Sequence, residues 1–335
     1  LLFGGGGGAA LLTILLHREV QVPFVAVAKT SYRHALPPNA WAFEDIEALR
    51  SGPDSLDNKT IDVVDLSLAD YTSESLLVPA SEVRHKLVGQ ARQTGVIVFY
   101  VSLHGLVDDA GQACVATPDS AACDAATWLP VSRVLRQIRN WELPSHVHKL
   151  LIFDCNRQQS NWNVGLIENT FASRLQHALE ETPVPNLVIM NSTSPGEIGW
   201  ASPEMRGSVF GQFLRLGLAG AADLPQEGGN HDRRVSLKEL HDYLLRRVDG
   251  WTQENRGVRQ RPLLIPADPS NFLLTWSLDR PLLDRVIAEF VGASPADPTV
   301  SRTQIDELWS AFATLRDGKA DSWAPLEMSD LRRRL

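Results

Sequence analysis

Two short apolar runs, each ending in a chemically capable side chain, constrain this chain more than any other feature. Residues 95–103 (GVIVFYVSL) lead into His104 and Gly105, and residues 149–153 (KLLIF) lead into Asp154 and Cys155. Runs this bulky and this poor in charge read as strands buried on both faces of a parallel sheet. Open α/β sheets place their chemistry at the carboxyl ends of such strands. A thiol and an imidazole delivered there are the parts of a cysteine nucleophile and its base. The interval between them accommodates one crossover helix and a loop, so the two strand ends can be neighbours.

The rest of the chain alternates in the same way. Strands are expected at 22–29, 61–66, 186–191 and 271–278. Helices are expected at 40–49, 81–92 (Ser81 as its N-cap), 131–141, 163–179, 208–222 and 236–248. Residues 105–128, rich in Gly, Asp, Ser and Pro, read as a long functional loop. Alternating strands and helices call for an α/β fold: a mainly parallel central sheet, right-handed crossovers and helices on both faces. Beyond Pro281 the texture changes, and 280–335 reads as a helical appendage or the start of a further region.

Bulk properties exclude some classes. A net charge of −8 argues against a nucleic-acid surface. Three cysteines are too few for a disulfide framework, and none sits in a zinc-type cluster. Cys114 and Cys123 could pair in an oxidising compartment, leaving Cys155 free, or be two small buried thiols. The other histidines show no metal-ligand spacing, and no metal or cofactor is expected. Asp108 and Asp109 lack EF-hand spacing, so calcium activation has no specific motif behind it. The uncharged leader, residues 1–17 up to His17, would be about 24 Å long as a helix over its first sixteen residues, against a hydrocarbon core of roughly 30 Å. It reads as the tail of a single membrane anchor on an otherwise cytoplasmic protein; a signal-peptide core or a flexible leader fits the same residues.

The chain resembles the caspase-like cysteine peptidases, and looks closer to metacaspases and bacterial caspase homologues than to animal caspases. Residues 22–49 are similar to the family's first strand, loop and helix. SLHG (102–105) resembles its histidine motif, LLIFDCNR (150–157) its nucleophile strand, and 191–194, 207–223 and 235–244 its last third. The likeness covers about 22–278 and implies a three-layer caspase-like sandwich hydrolysing peptide bonds of a peptide or protein substrate. It further implies His104 as base and then acid, Cys155 as nucleophile, and the Gly105 N–H in an oxyanion hole. Asp154 would shape an acidic pocket for Arg or Lys. Ser194 and Trp200, at and beyond the next strand end, are the candidate groove residues.

One feature departs from the family pattern. There the acidic or Gln residue stands two positions before the nucleophile, whereas Asp154 and Cys155 are adjacent. Alignment on the aspartate therefore puts Asn156 in the nucleophile slot. Residues two apart on a strand share a face, and a slip of one reverses the side chain. Either a bulge turns Cys155 into the cleft, or Cys155 points elsewhere and the chain is a non-catalytic scaffold or sensor.

Overall fold

A computed structural model of the chain describes residues 21–32, 36–51, 60–67, 75–155 and 170–276. The leader, Asn156 and the appendage at 280–335 lie outside the described residues. Among the described residues no helix is long and apolar enough to cross a membrane.

Six strands form the central sheet: β1 (Val22–Ala28), β2 (Ile61–Asp65), β3 (Val96–Ser102), β7 (His148–Phe153), β8 (Leu187–Asn191) and β12 (Leu263–Ile265). Their order is β12-β8-β7-β3-β1-β2. Every pairing is parallel except that of β12 with β8. All seven residues of β1 and of β3 are buried, as expected of strands covered on both faces.

Strand alternation divides the core in two. Phe24, Ala26, Val98, Tyr100, Leu150 and Ile152 face one layer, which also holds residues of α1 (Ala42–Ser51), α5 (Val209–Leu218) and α6 (Leu237–Arg256). Val25, Val27, Phe99, Val101, Leu151 and Phe153 face the other, with residues of α2 (Ser81–Thr94), α3 (Val131–Arg139) and α4 (Phe171–Glu181). The helices present matching stripes. Val131, Val134, Leu135 and Ile138 of α3 are buried at the spacing of one helical face.

Local chemistry sets the ends of these helices. Ser236 and Glu239 form a capping box at the start of α6. Gly95, at φ 75°, closes α2 by donating its N–H to the Ala91 carbonyl.

Several expectations are corrected. Ala80, not Ser81, precedes α2, and no side chain caps it. Residues 105–128 are not one long loop: they hold β4 (Gly105–Val107) and β5 (Ala113–Val115), which with β6 (Leu129–Pro130) make a three-stranded antiparallel ribbon. The strand expected at 271–278 is β13 (Leu273–Trp276), paired with β11 (Arg234–Ser236) apart from the main sheet, as are β9 (Ala201–Ser202) and β10 (Gly207–Ser208), which pair with each other. The sixth sheet strand is the three-residue β12, too short to announce itself in the sequence. The expected 208–222 helix ends at Leu218 and a 3₁₀ turn follows. The helix expected at 236–248 runs on past Val248 to Arg256.

Candidate active site

The carboxyl ends of β3 and β7 lie side by side, and the Gly105 N–H donates to the Cys155 carbonyl at 2.9 Å. The two candidate residues are thus brought together through their backbones. Their side chains enter different surroundings.

His104 is 1 % exposed, with its ring 4.8 Å from that of Tyr32. Its Nε2 is 2.7 Å from the Pro37 carbonyl oxygen, which can only accept, so Nε2 carries the proton. In the neutral ring Nδ1 is then the basic nitrogen. The His104 N–H donates to the Tyr32 hydroxyl at 3.2 Å. Neither Tyr32 nor Pro37 was flagged by the sequence. A backbone carbonyl leaves no side-chain signal to find.

Cys155 is 0 % exposed and shares the apolar layer of Phe153 and Phe171. Its thiol donates to the Val101 carbonyl at 3.3 Å. Gly105 owes its identity to the same layer. A Cβ there would lie 2.7 Å from the Phe171 ring, inside contact distance.

Asp154, between Phe153 and Cys155, faces the opposite layer and is also 0 % exposed. Its Oδ2 accepts from the Tyr100 hydroxyl at 3.1 Å and the Ser208 hydroxyl at 2.6 Å. Ser208 ties three elements at once. Its hydroxyl caps α5 by accepting from the Gly211 N–H, and its own N–H donates to the Asp45 carboxylate at 2.9 Å. A Cβ at Gly207 or Gly211 would crowd Asp45 Oδ1 at 2.6 and 2.7 Å, so the chain can wrap this carboxylate only with glycine at both places. Buried carboxylates are tolerated where hydrogen bonds replace water, and here Asp45 and Asp154 are linked through one residue, Ser208, by its N–H and its hydroxyl.

Ser194 and Trp200 belong to a clasp beyond β8. The Ser194 hydroxyl donates to the Arg261 carbonyl at 2.9 Å, and its N–H to the Glu197 carboxylate at 3.2 Å. The Trp200 N–H donates to Gln260 Oε1 at 2.9 Å, while Gln260 Nε2 donates to the Ser192 carbonyl at 3.1 Å. The Trp200 ring packs on the core and faces the Arg256 guanidinium, 5.6 Å from its centroid.

All three cysteines are free, so Cys114 and Cys123 are not paired, and only Cys114 of that pair is buried, Cys123 being exposed. Cys114 is buried, and burial followed by the nearby Asp108 carboxylate pushes its thiol up to about 12. Asp108 organises a turn, accepting from the Ala110 and Gln112 N–H groups at 3.0 and 2.8 Å. Among the described residues no group of three or more His, Cys, Asp or Glu is placed to hold a metal ion.

No protein-family model matches the chain, and neither does any curated protein. Among solved structures it is similar to pro-sf-caspase-1, with 14% identity, a TM-score of 0.44, and coverage of 79% of this chain and 94% of that one. It is also similar to Raptor of Chaetomium thermophilum, with 12% identity and a TM-score of 0.36. That match covers 93% of this chain and 32% of the other. Similarity at this level decides nothing about activity.

Proposed function

We propose that this chain is a caspase-like domain that has kept the architecture of a cysteine peptidase and works without peptidase chemistry, as a scaffold or sensor. The observation that carries the reading is the placement of Cys155. Its thiol lies in an apolar layer, 0 % exposed, with its proton directed at the Val101 carbonyl. A thiol so placed has its proton engaged by a backbone carbonyl and no exposed face from which a substrate carbonyl could be attacked. The Gly105 N–H, the implied oxyanion donor, is engaged by the Cys155 carbonyl. Asp154 is enclosed by Tyr100 and Ser208 rather than presented to a basic substrate side chain.

One observation favours a second reading, a cysteine endopeptidase cleaving after Arg or Lys. The Pro37 carbonyl orients His104 as a third group orients the base in a catalytic triad, leaving Nδ1 to take a proton. Peptide turnover separates the two. The scaffold reading predicts that fluorogenic Arg and Lys peptides are hydrolysed no faster by the full chain than by its Cys155→Ala variant. Hydrolysis that disappears with Cys155→Ala would establish the enzyme.

A further inference from the structure

The clasp beyond β8 places an arginine on an aromatic platform at the surface. Arg256 is exposed, and its guanidinium lies 5.6 Å from the Trp200 ring centroid and 5.0 Å from that of Trp251. Both rings are half-buried, so their positions are set by the core beneath. Arg259 and Arg261, exposed nearby, have partners: Arg259 pairs with Asp249 at 3.2 Å and Arg261 with Glu197 at 2.6 Å. No carboxylate among the described residues pairs with Arg256. Its Nη1 donates to the Asn255 carbonyl, and its guanidinium makes no other hydrogen bond among the described residues. Two residues along the chain is Val258, 42% exposed, one of three large apolar side chains so exposed among the described residues.

The patch is also held in place. Gln260 is fully buried and bonds both the Ser192 carbonyl and the Trp200 N–H. The Glu197 carboxylate accepts from the Ser194 N–H, the Arg261 N–H and the Arg261 Nε–H. Gly257, at φ 67°, ends α6 in the left-handed conformation and turns the chain into this clasp. A guanidinium stacked on fixed aromatic rings has already lost part of its freedom, and the ordering cost of binding is lower for it than for a free surface arginine. Tryptophan and arginine are also the residues that concentrate binding energy at interfaces.

We propose that Trp200, Trp251, Arg256 and Val258 form a docking site for an acidic peptide segment of a partner protein. A carboxylate of that segment would pair with Arg256 through two N–H donors, and an aliphatic neighbour would cover Val258. Charge complementarity selects the occupant. The whole chain carries −8, yet this surface presents three arginines within six residues, and Asp249 and Glu197 answer two of them. The proposal deepens the scaffold reading and rests on it for treating the chain as a binding module.

The probe is a fluorescein-labelled Glu-Leu-Glu-Glu-Leu-Glu peptide, blocked at both ends, titrated against the full chain by anisotropy. Saturable binding that weakens with salt is expected, falling tenfold or more in Arg256→Gln and retained in Arg92→Gln, an exposed position on the opposite side of the sheet. Arg256→Lys, which keeps the charge without the planar fork, should fall between them. No binding, equal loss in both glutamine variants, or preferential binding of the matching Lys-Leu peptide would overturn the proposal. Failure here leaves the reading of Cys155 untouched, because that reading is tested by turnover and thiol reactivity.

Discussion

At the scale of single residues, His104-Gly105 and Asp154-Cys155 are explained by packing and hydrogen bonding before any chemistry is invoked. Gly105 is glycine because the Phe171 ring occupies the place of its Cβ. Gly105→Ala should therefore cost about 1–3 kcal/mol in urea unfolding, the usual range for overpacking a core. In a Phe171→Ala background that cost should shrink well below the single-variant value, since contacting residues are not additive. Additive costs would show that the ring is not the reason. The sequence made the histidine and glycine legible as a motif. It could not show what encloses them, because Pro37 acts through its backbone and Tyr32 comes from a distant stretch. Cys155 was the ambiguous case, and the alternation of Phe153, Asp154 and Cys155 across the sheet accounts for its direction.

Among the elements, the helix starts offer a graded comparison. Ser236 at α6 acts within a capping box, while Ser208 at α5 caps and also supplies a proton to Asp154. Ser236→Ala should cost about 1 kcal/mol. Ser208→Ala should cost more, because it also strips a donor from a buried carboxylate. Equal shifts of the two urea midpoints would mean that the Ser208–Asp154 bond contributes nothing.

His241 on α6 gives a pH dependence. Burial holds its imidazole below the ordinary value of 6.5, outweighing the opposing influence of the Pro262 carbonyl and the Asp242 carboxylate. The unfolded chain then takes up the proton first as pH falls. This contribution is intact above about 6.5 and is lost as pH drops below it toward the lowered folded value. His148, lowered by burial and then by Lys149, adds in the same direction. The thermal midpoint should fall between pH 7 and pH 5, and less steeply in His241→Gln; an identical slope would remove His241 from the account. Long periodic elements such as α3 were legible in the sequence, whereas β12, with three residues between prolines, was not. The helix expected to end at Val248 runs on through Gly250, which sits mid-helix with open space where a Cβ would be.

For the whole molecule, the parallel sheet was the most legible feature, because strands covered on both faces must be apolar throughout. The ribbon of β4, β5 and β6 was hidden, since its strands are too short to set a period. The architecture brings thiol and imidazole to adjacent strand ends, and alternation then gives the thiol to the apolar layer. The exposed Cys123 supplies an internal standard for this claim. The native full chain is treated with a peptidyl chloromethyl ketone and with iodoacetamide, and the modified peptides are quantified by mass spectrometry. Cys123 should react with iodoacetamide while Cys155 stays unmodified by either reagent until the chain is unfolded. Labelling of Cys155 in the native protein, faster than that of Cys123, would contradict the account and restore a working nucleophile.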